Sequence, residues 1–226
     1  MFIPFTPTDH HAGMGAGGVA GTLDALIAFE EIGMRRTFAR NEEIFAEGDR
    51  ADGWYKVISG TVRMCRLLAD GRRHIAEFYF SGDCFGYDNR SERLLSAEAV
   101  GDVTVMRYPR AATERLIDNN TTLFRSLNDL TLRDLANAQF RMLLLGRMNA
   151  TEKVASFLLD MFERRDETRA LDLTMSRNDI ADYLGLTLET VCRVMSMFKR
   201  EGVIRLPTPQ RIELRDPDAL EAIGRA

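Results

Sequence analysis

Residues 176–202 read SRNDIADYLGLTLETVCRVMSMFKREG. Ser176 is a helix-capping residue type, and Asp179, three positions on, completes a capping pair and puts negative charge at the helix N-terminus, where it is favoured. Ile180, Ala181 and Leu184 share one helical face, and Ala181 is small enough to let a second helix approach. Gly185 supplies a turn, Leu186 plugs the angle between helices, and Thr187 caps the next helix. Val191, Val194, Met195 and Phe198 then return at helical spacing on an inner face. That leaves Leu188, Glu189, Thr190, Arg193, Ser196, Lys199 and Arg200 pointing outward. Two helices joined by a short Gly-containing turn predict a helix-turn-helix, whose second helix enters the major groove of DNA.

Downstream, Val203–Leu206, a Pro-Thr-Pro-Gln turn and Arg211–Leu214 predict a β-hairpin, which makes the unit a winged helix-turn-helix. Between Met175 and Arg215 stand seven Lys/Arg and five Asp/Glu, a local excess of +2 in a chain whose formal charge is −4. A weakly basic segment in an acidic chain agrees with local contact to phosphates. Upstream, a strand is expected at Leu171–Thr174 and a helix over 150–165, begun by Asn149 with Glu152 three residues on.

Gly146 is read as a helix break, and Thr113 to Gly146 as helical almost throughout, free of Pro. Within it Phe124, Asn128, Thr131, Leu135, Ala138, Met142 and Leu145 step by alternating fours and threes, the spacing of a coiled-coil seam. Leu127 and Leu130 flank that seam; Leu132 and Leu143 lie on other faces. A helix over 121–145 would run ~37 Å, longer than a small domain needs, so the seam predicts a homodimer interface.

From Met34 to Pro109 short strand-like runs alternate with Gly and Asp turns: Ile44-Phe45, Trp54–Ile58, Thr61–Leu67, His74–Phe80 and Val103–Tyr108. Asp70-Gly71 is the best hairpin turn, since both residues tolerate positive φ. The pattern predicts an antiparallel barrel or double-sheet roll. Leu23–Ile32 suits a short amphipathic helix, and the Gly-rich start reads as a mobile tail whose His10–His11 pair is solvated rather than metal-binding. The organisation expected is therefore a tail over 1–22, a β-roll domain over 23–112, a dimerisation helix over 113–146 and a DNA-binding domain over 147–226, an α+β chain.

Several function classes are excluded or disfavoured. At 226 residues with 45% hydrophobic and 28% charged residues, the chain has ample apolar surface for two small cores. No apolar run reaches the ~18–20 residues of a membrane span, and the first 21 residues hold no Lys or Arg, so a cytoplasmic protein is expected. Cys65, Cys84 and Cys192 are too scattered for a disulfide framework or a CxxC metal pair. Cys192 is expected to be partly buried against the motif core, with Cys65 and Cys84 as small core residues. His74 has no neighbour suggesting a catalytic triad, and no phosphate loop or H-E-x-x-H pattern exists, so no enzymatic activity is expected.

Phe38-Ala-Arg-Asn-Glu-Glu-Ile44-Phe45-Ala-Glu-Gly48-Asp49, Tyr55-Lys-Val57-Ile-Ser-Gly60 and Gly82-Asp83-Cys-Phe-Gly86 form the jelly-roll signature of cyclic-nucleotide-binding-like domains. With the long helix and winged motif in this order, residues 23–226 resemble the CRP/FNR superfamily of bacterial transcription regulators. Leu188-Glu189-Thr-Val-Cys-Arg193 is most similar to the recognition helix of the FixK group, regulators of microaerobic and nitrogen-fixation genes. The resemblance implies transcription activation through RNA polymerase and a TTG…CAA palindrome.

Two departures bear on cofactors. Residues 1–64 contain no cysteine, so the four-thiolate iron–sulfur site of FNR-type sensors cannot form. Tyr87 follows Gly86 where cyclic-AMP binders carry Glu, and Leu94-Leu95-Ser96-Ala97 stands where they carry an Arg-Ser pair. Arg90 and Arg93 are nearby but sit in what reads as a polar loop. No cofactor and no metal are therefore expected, while an effector-gated regulator of the same fold stays open as a second reading.

The residues then divide by role. Leu188, Glu189 and Arg193 are expected to read bases: the Arg fork suits guanine O6 and N7, a carboxylate suits cytosine N4, and exposed Leu suits a thymine methyl. Glu189 and Arg193, four apart, are also spaced for an ion pair that would orient the fork. Ser176, Thr187, Thr190, Ser196, Lys199 and Arg200 are the expected phosphate contacts. The partners expected are double-stranded operator DNA, a second copy of the chain and RNA polymerase, with no membrane.

Overall fold

The computed structural model describes residues 31–88, 90–118, 120–165, 167 and 169–224. The tail over 1–22, its His10–His11 pair and nearly all of the helix expected over Leu23–Ile32 lie outside those residues. Eight strands come first: β1 (Met34–Phe38), β2 (Glu43–Phe45), β3 (Gly53–Ser59), β4 (Val62–Leu67), β5 (Arg73–Tyr79), β6 (Cys84–Phe85), β7 (Ser96–Ala99) and β8 (Val103–Pro109). They form two four-stranded sheets, ordered β1-β8-β3-β6 and β2-β7-β4-β5, with every pairing antiparallel. Alternating residues meet between the sheets: Phe45, Tyr55, Val57, Val62, Phe85 and Val105 are all buried there. This is the double-sheet roll that the strand pattern predicts.

The β4–β5 turn differs in detail from the two-residue hairpin expected. Leu68–Arg72 form its loop, Leu68 N–H donating to Arg72 O, and of the Asp70-Gly71 pair only Gly71 takes positive φ, +83°. Asp70 instead uses its carboxylate to accept from the Arg72 backbone and side chain, which favours an ordinary backbone at 70.

Helix α1 (Arg110–Asp118) leads from the roll to α2 (Thr121–Arg147), 27 residues long, capped by Asn120 accepting from Leu123 N–H. At its start Leu123 packs beside Trp54 and Tyr108, anchoring the long helix to the roll. Phe124, Asn128, Thr131, Leu135 and Met142 of the expected seam are exposed, whereas Ala138 and Leu145 are half-buried. Leu145 packs against the C-terminal core, because the last turns of α2 already serve that core through buried Leu144. Leu132, which the heptad spacing set outside the seam, is more than half exposed as well and widens the apolar face, whereas Phe140, also more than half exposed, lies on the opposite side of the helix. Gly146 does not break the helix: α2 ends at Met148, whose extended backbone (φ −80°, ψ 143°) makes the turn.

Then follow α3 (Ala150–Arg164), β9 (Ala170–Asp172), α4 (Arg177–Leu184), α5 (Leu188–Arg200), β10 (Ile204–Arg205), β11 (Arg211–Leu214) and α6 (Pro217–Gly224). Asn149 and Glu152 form the capping box of α3. The wing is a three-stranded sheet, β10-β11-β9, in which the strand expected at Leu171–Thr174 starts one residue earlier and is shorter. Phe157, Leu158, Ile180, Leu184, Val191, Phe198 and Ile212 join helices and wing in one core. Among the described residues no helix is long and apolar enough to cross a membrane.

Candidate nucleic-acid interface

Ser176 caps α4 as its sequence predicts: Asp179 N–H donates to Ser176 Oγ (3.1 Å), while the Ser176 backbone N–H (3.0 Å) and hydroxyl (2.7 Å) donate to Asp179 Oδ2. Gly185 ends α4 in the left-handed region (φ 62°, ψ 39°), which favours glycine. Leu186 N–H donates to Ala181 O across that turn, and Thr187 caps α5 by accepting from Thr190 N–H at 3.2 Å. Val191, Val194, Met195 and Phe198 are buried, fixing which arc of α5 faces inward.

The opposite arc is open. Leu188, Glu189, Arg193, Ser196, Lys199 and Arg200 are exposed with Thr187; Thr190 is half-buried. Leu188, a large apolar side chain, is 40% exposed at the helix start. The Ser196 hydroxyl donates to Cys192 O (2.8 Å). The ion pair expected between Glu189 and Arg193 is absent among the described residues. Glu189 instead turns to the helix N-terminus, where its own N–H and the Thr187 hydroxyl hold its carboxylate below the usual range. The Arg193 fork is thus not oriented by Glu189.

Cys192 is exposed, contrary to the expected partial burial. At about 100° per residue, position 192 lies about 110° from the centre of the buried arc, too far round the helix to reach the core. Cys65 is buried and Cys84 half-buried, as expected; burial, and then Glu98, push the Cys65 thiol up to about 12.

Arg177, first residue of α4, is a candidate the outward-face reading missed. Its Nη2 donates to Pro209 O in the wing turn (2.9 Å), tying helix to wing, and its Nη1 is buried without a hydrogen-bond partner. Burial lowers its pKa, the mark of a cation short of counter-charge. The signal in the sequence was its place beside the Ser176 cap.

Behind this face α4 docks on the roll. Asp179 Oδ1 accepts from Arg63 Nη1 (3.1 Å) and Arg73 Nη2 (2.5 Å), while Arg73 also pairs with Asp182 (2.9 Å) and Arg63 with Glu98 (2.6 Å). Phe78 meets Tyr183 with ring centroids 5.3 Å apart, and the Thr61 and Thr174 hydroxyls are 2.9 Å apart. Burial works against a charged Asp179, yet Ser176, Arg63 and Arg73 more than offset it and hold the carboxyl below its usual value.

The roll's ligand region differs from the solvated loop expected. Arg93 is buried, donating from Nη1 to Gly86 O (2.6 Å) and Asp88 (2.7 Å) and from Nη2 to Gly53 O, with its guanidinium carbon 4.2 Å above the Phe45 ring centroid. These acceptors draw the side chain inward; Arg90 stays exposed. Tyr87 stacks on Trp54 at 4.9 Å where a nucleotide-binding glutamate would stand. The buried guanidinium is already engaged by two carbonyls and a carboxylate, with only its Nε left unpartnered. Outside it lies a surface cavity of about 500 Å³ lined by Glu47, Gly48 and Arg90 to Leu94.

Comparison with known proteins accords with this architecture. The family model of the Crp-like helix-turn-helix domain matches residues 152–223, and that of the cyclic nucleotide-binding domain matches residues 35–120. The nitrogen fixation regulation protein FixK of Bradyrhizobium diazoefficiens is 41% identical over 214 residues, covering 92% of this chain and 90% of its own. The transcriptional activatory protein AadR of Rhodopseudomonas palustris is 38% identical over 202 residues, covering 88% and 84%. The solved structure of FixK2 from Bradyrhizobium japonicum superposes with a TM-score of 0.83 at 38% identity, over 86% of this chain and 98% of that one.

Proposed function

Because this chain belongs to the CRP/FNR family of transcription regulators, in its FixK group, we propose that it is a homodimeric, sequence-specific activator acting on double-stranded DNA in the cytoplasm. The observation that carries the reading is the open arc of α5: Leu188, Glu189 and Arg193 stand together in solvent while the other side of the helix is sealed in the core. On this reading those three residues read the base edges of a TTG…CAA palindrome, one half-site per protomer. Ser176, Thr187, Thr190, Ser196, Lys199 and Arg200 contact phosphates, and Arg177, with its unpartnered Nη1, joins them. Dimerisation runs through the exposed apolar face of α2 from Phe124 to Met142. Activation proceeds through contact with RNA polymerase, as the family's activators imply.

The regulator needs no cyclic nucleotide: Arg93 occupies the roll's interior, where Gly86 O, Gly53 O and Asp88 engage both of its terminal nitrogens. Footprinting of the purified chain on TTG…CAA operators, with no added effector, tests the reading; protection of both half-sites is expected, and protection only after adding a small molecule would transfer the assignment to an effector-gated regulator. A rise in melting temperature with cyclic AMP or cyclic GMP would count the same way.

A further inference from the structure

The oxygens of the Asp179 carboxylate are divided between two tasks: Oδ2 holds the Ser176 cap at the motif's edge, and Oδ1 is held by Arg63 and Arg73 of the β-roll. Arg63 is 6% exposed and Asp179 4%, so the centre of this join is shielded from water, while Arg73, Glu98 and Asp182 complete it at its partly exposed edge. We propose that Arg63 and Arg73 are positioning residues for DNA recognition, fixing through Asp179 and Asp182 the orientation of the DNA-binding domain and hence the half-site spacing the dimer accepts. The proposal rests on the reading of the chain as a dimeric DNA-binding regulator.

The geometry supports this in three ways. Between α2 and α3 stand only Met148 and Asn149, both in extended backbone, so the covalent link alone leaves the domain free to turn. The apolar part of the join, where Cys65, Ile75, Phe78 and Phe80 of the roll enter the core that holds Tyr183, resists separation more than sliding, because burial has no direction. Guanidinium forks on carboxylates do have direction, and buried ones hold it. The cluster also grips α4 from behind, leaving the arc of Leu188, Glu189 and Arg193 open, so it holds a binding-competent pose rather than a blocked one. The superposition on FixK2 covers 86% of the chain at a TM-score of 0.83, which takes in both domains in one relative placement. A slide of one base-pair step, ~3.4 Å along the duplex, would put both recognition helices out of register with their half-sites.

The test uses the full chain and a set of palindromic duplexes: half-sites at the preferred spacing, one base pair closer, one base pair farther, and a single half-site. The quantity read is the ratio of affinity at the preferred spacing to affinity at the altered ones. Arg73→Gln and Asp182→Asn, at partly exposed members of the cluster, are each expected to lower that ratio about tenfold, just below the range for a close charge pair because solvent screens these two, while binding to the single half-site is unchanged. Arg73→Lys, which keeps the charge but loses the fork that spans Asp179 and Asp182, should also lower the ratio, though less than Arg73→Gln. A spacing ratio unaltered in both Arg73→Gln and Asp182→Asn overturns the proposal, as does an equal loss on the single half-site, which would mean local damage to α4. A parent chain without preference for the palindrome over scrambled DNA refutes the DNA-binding reading itself, a failure distinct from variants that bind and keep the spacing preference.

Discussion

Charging the α2 seam should separate the protomers and abolish operator binding. Leu135 is 53% exposed and Met142 74% exposed in the single chain, on the face they share with Phe124 at 55%. Full burial of a Leu or Met side chain stabilises by about 1.5–3 kcal/mol, so covering the exposed half to three quarters of each returns about 1–2 kcal/mol. Two such side chains on each of two protomers sum to about 4–8 kcal/mol, before counting the repulsion of carboxylates facing each other. Replacing both with Asp should therefore weaken dimerisation at least about a thousandfold, since each decade corresponds to about 1.4 kcal/mol. Sedimentation equilibrium of the parent and of Leu135→Asp/Met142→Asp reads this directly. A circular-dichroism melt checks that the domains stay folded, as they should, because neither residue enters a core. A doubly charged variant that remains a dimer at the parental concentration, and still binds a palindrome, would refute the seam.

Other outcomes follow from individual side chains. Asp179 has a depressed pKa, so its contribution to stability is fully present above the ordinary carboxylate value of about 3.9 and is lost as pH falls through its own lower value; the melting-temperature gap between the parent and Asp179→Asn should shrink below about pH 4, and a gap constant from pH 7 to 3 would contradict the ion cluster. Cys192 should react with a thiol reagent in the native protein, whereas Cys65, buried and with its thiol pushed up to about 12, should react only on unfolding; native protection of Cys192 would place it in a contact the single chain does not make, and Cys192→Ser should bind DNA like the parent. Arg177→Gln should reduce the slope of log affinity against log salt by about 1.8, at ~0.9 per phosphate in each of two protomers; an unchanged slope would restrict Arg177 to tying helix to wing.

The helix-turn-helix was legible because its evidence is local: cap, turn glycine and inner-face residues all fall within one 27-residue window. The central strands were legible from Trp54–Ile58 and Val103–Tyr108, rich in β-branched and aromatic residues. Strand β7, Ser-Ala-Glu-Ala, has neither, and forms because β2 and β4 pair with it on both sides. Helix α6 is too short to show periodicity and starts from a local cap, Ala219 N–H donating to Asp216. The interdomain cluster was hidden for another reason: Arg63 and Arg73 reach Asp179 across more than a hundred residues of sequence, and nothing in a run of alternating strand residues marks a buried arginine. The burial of Arg93 was hidden likewise, since its acceptors at Gly53 and Gly86 are backbone carbonyls that composition does not display. The Glu189–Arg193 pairing failed because spacing sets proximity alone, and the helix N-terminus competes for the carboxylate.

The base-readout claim is tested most directly by measuring the parent and Arg193→Ala against operators changed one base pair at a time through the half-site. The parent should discriminate most strongly at a G·C pair, and Arg193→Ala should lose ~1–3 kcal/mol on the parental operator while becoming indifferent to the base at that position alone. A loss of the same size on every operator, with discrimination at the G·C pair intact, would reduce Arg193 to a phosphate contact and contradict the account.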